Sequence, residues 1–169
     1  MEAVKESSEG RSLFVTAIGV EEVFWGLAFF NENAPMPVTL GAREDSLLCL
    51  WSRQLLLPVL SRNAQVSFEL CRLMIAHMQR ASQIVEELAF QPVAGRVARL
   101  LLDQFPPEQG SVLRNLTLDD MAARIGSTRE MVCRFLHRFA GEGLINITRT
   151  EFYIINRQSL EELARQVKG

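Results

Sequence analysis

The chain has 169 residues, with 48% hydrophobic and 22% charged side chains and a formal charge of −2. That is globular composition, long enough for two small domains, and it excludes a wholly disordered chain. No apolar run approaches the roughly 18 residues of a membrane span; the longest, residues 23–30, is interrupted by Gly26. The polar, acidic start does not read as a secretory leader, and Cys49, Cys71 and Cys133 form no CxxC pair. A reducing cytoplasm is the expected compartment, with no membrane partner.

The charge is unevenly spread. Residues 1–60 carry four basic and eight acidic side chains, whereas residues 111–169 carry nine and seven. Arg124, Arg129, Arg134, Arg138, Arg149 and Arg157 meet only Glu130, Glu142 and Glu151 between residues 123 and 157. An acidic front with a locally basic back suggests two jobs on one chain.

In chain order, residues 8–11 are a turn and residues 13–18, β-branched and aromatic, a strand. A second turn at residues 19–22 leads into residues 23–26. Residues 31–37 read as a loop, residues 38–40 as a short strand, and residues 44–46 turn the chain into the apolar stretch 47–51. Short strands with frequent turns suggest a barrel or sandwich, but fifty residues cannot close one. The β-part is read as incomplete.

The period then changes. Leu70, Met74, His77, Ala81, Ile84 and Leu88 recur at spacings of four and three, a heptad-like stripe on one helix from about Ala64 to Phe90. Such a helix serves either as a core helix on the sheet or as the seam of a two-stranded dimer; its length favours the seam. Pro92 marks a joint. A second helix follows through Val93, Val97, Leu100, Leu101 and Phe105, and Pro106 and Pro107 stop it.

Residues 117–139 carry the most information. Thr117 and Asp120 form a capping pair, Met121, Ala122 and Ile125 an apolar face, and Gly126 a tight turn. Thr128 caps the next helix, whose buried stripe is Val132, Phe135, Leu136 and Phe139. This is a helix-turn-helix. A hairpin of residues 143–155 follows where a winged helix carries its wing, and an amphipathic helix with Leu160, Leu163 and Ala164 closes the chain.

These segments resemble the bacterial CRP/FNR family of transcription regulators. LAFQPVAGRVARLLL, residues 88–102, is similar to the family's junction between dimer helix and DNA-binding domain. STREMVCRFLHRFAGEGLI, residues 127–145, is similar to its helix-turn-helix, and residues 21–50 resemble the last strands of its β-roll sensor, which in the family begins several strands upstream of Val4 and Lys5. The resemblance implies an α+β fold: a partial, cupin-like β-roll effector domain over residues 1–60, a dimerisation helix over 61–91 and a winged helix-turn-helix over 92–169. It implies double-stranded DNA, a second copy of the chain and RNA polymerase as partners.

Members that bind cyclic nucleotide have Gly-Glu-Leu and, some ten residues on, Arg-Ser. Here those places hold Gly26-Leu27-Ala28 and Met36-Pro37, so the ribose acceptor and the phosphate cation are both replaced and cyclic nucleotide is not expected. Arg43 is the only other arginine in that stretch. Some members hold haem through histidine, which makes His77 a candidate ligand against the reading of a structural seam histidine. The effector is otherwise unknown.

Arg129, Glu130 and Arg134 sit at the start of the second helix of the motif, where arginine can donate to guanine and glutamate accept from cytosine. Their order resembles members that read half-sites like TGTGA. Thr117, Ser127, Thr128 and Arg138 are placed for phosphate. Cys133 and His137 lie one turn apart, but no orienting group or further ligand accompanies them, so neither a catalytic nor a metal role is assigned and no enzyme is expected. Two readings stand: a sequence-specific regulator that binds an inverted repeat as a dimer, or an interaction module whose helix pairs with a longer relative.

Overall fold

The computed structural model describes residues 1–24, 29–31, 33–104, 112–113 and 115–167. The chain divides into two compact units, one of Met1–Lys5 with Val15–Val85, the other of Glu6–Phe14 with the residues from Glu86 onward.

Near the start of the chain, β1 (Glu2–Glu6) lies between β2 (Ser12–Ala17) and β3 (Thr39–Gly41). β1 and β3 are antiparallel, with Ala3 opposite Leu40. β2 falls where the β-branched run predicts a strand. β1 falls where the reading saw only a polar start: its Ala3 is fully buried, and Met1 and Ile18 exchange backbone hydrogen bonds of 2.8 and 3.1 Å at its end. Arg43 donates to Glu2 at 2.5 Å, so this arginine is engaged by the sheet itself.

Residues 23 and 24 form no strand, and residues 25–28 lie outside the described ones. Residues 47–51 have no regular structure, and Leu47, Leu50 and Trp51 stand exposed. Next comes a helix that the sequence reading did not foresee, α1 (Arg53–Arg62), capped by Ser52, whose hydroxyl accepts from the Leu55 N–H. Pro58 lies inside it, a residue that in a sequence argues against a helix. Asn63 starts α2 (Ala64–Phe90), its side chain accepting from the Val66 N–H at 3.2 Å. α2 runs the length that the heptad spacing predicts, and every residue from 71 to 83 is exposed.

The second unit is the winged helix. α3 (Val93–Gln104), α4 (Leu118–Ile125), α5 (Arg129–Gly141) and α6 (Arg157–Arg165) surround a sheet of β4 (Val112–Leu113), β6 (Glu151–Ile154) and β5 (Ile145–Ile147), in the order β4-β6-β5. β5 and β6 are the expected hairpin; β4, two residues long, is an addition. The stop at Phe105, Pro106 and Pro107 lies outside the described residues. Val97, Val132, Phe139 and Leu160 are fully buried, one from each of α3, α5 and α6 and a second from α5. At about 1.5–3 kcal/mol for each buried large aliphatic or aromatic side chain, this shared core holds the motif in place. Gly95 permits the closest approach: a Cβ there would lie 2.8 Å from the Leu163 carbonyl oxygen, so α6 rests on α3 backbone to backbone.

Candidate nucleic-acid interface

α4 begins with a complete capping box. The Thr117 hydroxyl accepts from the Asp120 N–H at 3.1 Å, and the Asp120 carboxylate accepts from the Thr117 N–H at 3.0 Å. α4 ends at Gly126, which takes the left-handed conformation (φ 60°, ψ 50°) that glycine adopts without steric cost. Ser127 then bonds back to the Ala122 carbonyl at 3.0 Å, and Thr128 caps α5 by accepting from the Met131 N–H at 3.3 Å.

α5 buries Val132, Leu136 and Phe139 on one side. The other side presents Arg129, Glu130, Arg134, His137 and Arg138, all exposed. All three proposed base readers therefore lie on the free side of one rigid helix. Hydrogen bonds from its own backbone N–H and from the Thr128 hydroxyl, with Arg129 alongside, hold the Glu130 carboxyl below the usual carboxylate range. At neutral pH Glu130 is an ionised acceptor at a helix N-terminus.

The arginines are preset in different ways. Arg129 pairs with Asp119 at 2.9 Å, an exposed contact worth a few tenths of a kcal/mol and readily exchanged. Arg134 donates to the Met131 sulfur at 2.7 Å and lies 5.6 Å over the Phe135 ring, which extends it along the helix. Arg138 pairs with Glu142 at 2.7 Å.

Of the residues assigned to phosphate, Arg138 is an exposed cation, while Ser127 and Thr128 are half-buried at the turn. Thr117 is the poorest fit: its hydroxyl donates to Asp120 at 2.7 Å, and an approaching phosphate would meet that carboxylate. The reading gave Arg149 no role. It stands exposed at the wing tip, where the Thr148 N–H donates to the Glu151 carbonyl at 2.9 Å and closes the turn. Its signal was an arginine between two strand-forming runs. Cys133 is half-buried beside exposed His137, and among the described residues no group of three or more His, Cys, Asp or Glu could hold a metal.

Residues 95–163 match the family model of the Crp-like helix-turn-helix domain. The chain is 28% identical to the CRP-like cAMP-activated global transcriptional regulator of Mycobacterium tuberculosis, over 95% of this chain and 74% of that protein. The chain thus carries a Crp-like helix-turn-helix domain and is similar to a CRP-like regulator over almost its whole length. It is 25% identical to the cyclic AMP receptor protein of Thermus thermophilus over 92% of this chain and 71% of that one. A CRP/FNR-family transcriptional regulator of Eubacterium rectale has the same fold, with a TM-score of 0.83 and 23% identity, covering 98% of this chain and 76% of that one. This chain is thus a transcription regulator of CRP/FNR type with a helix-turn-helix DNA-binding domain, and not an enzyme. Among the described residues no helix is long and apolar enough to cross a membrane.

The seam residues separate. Met74, His77 and Ala81 are exposed, and Ile84 is half-buried. Leu70 is buried at 6% exposure, and the Leu88 side chain lies against Gly126, where a Cβ would stand 2.5 Å from Leu88 Cδ2. These two leucines pack within their own chain. A parallel stripe, one residue out of phase, is exposed throughout: Cys71, Ile75, Met78, Ser82 and Val85.

Proposed function

We propose that this regulator binds an inverted-repeat DNA site as a dimer, with α5 in the major groove, and that cyclic nucleotide is not its signal. The observation that carries the first part is the free side of α5, where Arg129, Glu130 and Arg134 project from a helix whose opposite side is locked in the core. Arginine donates to guanine O6 and N7, and ionised Glu130 accepts from cytosine N4. Arg138 and Arg149 neutralise phosphate on either side. Dimerisation runs along α2 through Ile75, Met78 and Val85, with Cys71 and Ser82 completing the 4-3-4-3 spacing. His77 lies outside this stripe and has no haem role in the proposal. RNA polymerase is the partner through which such a dimer acts on transcription.

The curated relatives named above are cAMP-activated or cyclic AMP receptor proteins. In this chain Leu27 and Met36 occupy the places of the ribose-binding and phosphate-binding side chains, and Arg43 already serves Glu2. Calorimetry with cyclic AMP and cyclic GMP is expected to show no heat of binding; micromolar affinity for either would overturn this part.

The test of the whole reading is fluorescence anisotropy on an inverted repeat of TGTGA-like half-sites whose centres lie about 34 Å apart. The purified chain alone is expected to bind it with one dimer per site. Binding only after a longer relative is added would favour the interaction module instead.

A further inference from the structure

Two acids open α4, and the capping box uses one of them. Asp120 accepts from the Thr117 N–H and hydroxyl at 3.0 and 2.7 Å. Asp119, exposed beside it, accepts from Nη1 of Arg129 at 2.9 Å, across the turn of the motif. A carboxylate at a helix N-terminus is ordinarily explained by the dipole alone. Its partner here is one of the proposed base readers.

Arg129 and Glu130 are neighbours of opposite charge. A guanidinium folded onto Glu130 would take both readers away from the bases. They have separate holders: Glu130 is engaged by its own backbone N–H and the Thr128 hydroxyl, and Arg129 by Asp119. Arg134 and Arg138 are held from within α5, by Met131 with Phe135 and by Glu142 at the helix end. Among the described residues, Arg129 is the arginine of α5 that a carboxylate of another helix secures.

A guanidinium carries five donors in one plane, and a bond at Nη1 leaves others for a guanine edge. Toward a base, Asp119 is therefore a buttress that fixes the plane without consuming the reading edge. Toward a phosphate it works in reverse. An arginine already paired adds little to counterion release, and the carboxylate itself repels the backbone. The fold does not depend on an exposed pair of this kind. Its consequence falls on which DNA is bound.

We propose that Asp119 is a specificity-determining residue: it orients Arg129 for guanine and masks its charge from phosphate. The correct sequence gains and random DNA loses. The proposal rests on the reading of α5 as the helix that enters the groove.

Competition anisotropy on the full chain tests it, with the inverted repeat, the same repeat altered at one guanine at a time, and random duplex. Asp119→Asn is expected to bind random DNA about threefold tighter or more, with a salt slope about one unit steeper per half-site. Its discrimination at one guanine should fall about threefold or more. Asp119→Glu, which keeps the charge on a longer arm, should keep the random affinity and lose part of the discrimination. In an Arg129→Ala background, Asp119→Asn should no longer change the discrimination. Equal tightening on all sequences, with discrimination intact, would make Asp119 a repelling charge only and overturn the proposal. A shifted thermal midpoint with no change on any DNA would reduce it to the dipole role and overturn it too. A wild type without preference for the inverted repeat would overturn the reading of α5 and this proposal together. A preference that Asp119→Asn leaves unchanged would overturn this proposal alone.

Discussion

Glu130 is an exposed carboxylate whose proton affinity is lowered by hydrogen bonds made within its own helix turn. It is therefore charged and oriented before any DNA arrives. Glu130→Ala is expected to relax discrimination at one G·C pair of the half-site by about tenfold or more while leaving binding to random DNA nearly unchanged. Arg138→Ala should act differently, weakening all sequences alike and making the salt slope about one unit shallower. Competition anisotropy at several salt concentrations separates the two. Equal loss of specific and random binding in Glu130→Ala would remove α5 from the groove. These residues were legible because their signals are local: a capping pair, a left-handed glycine and a second cap fix both helices of the motif within a dozen positions. The exposed position of Arg149 at the wing tip was not legible, since it depends on β5 and β6 pairing across the turn.

At the scale of elements, length and period decided what could be read. α2 repeats its apolar spacing over 27 residues, and its bounds follow from the pattern. β1, β3 and β4 have five, three and two residues, too few for a period to emerge. The face of α2 left open to a partner is ambiguous in the sequence for a related reason. α2 carries two heptad stripes one residue apart, and the one with the leucines looks the more apolar. Leu70 and Leu88 are apolar because their own chain buries them, which only the tertiary structure reveals. The α3–α6 contact gives a direct test of packing. A methyl group on Gly95 would meet a backbone oxygen, which cannot rotate away as a side chain can. Gly95→Ala should cost about 1–3 kcal/mol and lower the thermal midpoint, read by circular dichroism. An unchanged midpoint would mean that α6 shifts freely on α3.

For the whole molecule, the net charge of −2 conceals an uneven distribution, because the acidic front offsets the arginines of the winged helix. In the proposed complex, affinity comes from two recognition helices at once, since one helix-turn-helix reads only half of an inverted repeat. Ile75, Met78 and Val85 are 53%, 72% and 66% exposed, an apolar cost that a second α2 would remove. Because Met78 and Val85 are largely exposed in their own chain, Met78→Glu with Val85→Glu should leave the fold and its thermal midpoint intact. In sedimentation the double variant is expected to be monomeric at micromolar concentration, where the wild type is dimeric. Its affinity for the full inverted repeat should fall to that for a single half-site, with the base preferences set by Glu130 preserved. Substitutions at Leu88 should behave otherwise, disturbing the winged helix through Gly126 rather than the dimer. A double variant that stayed dimeric would move the seam off this stripe, and a wild type that bound the full site as a monomer would remove the need for a seam at all.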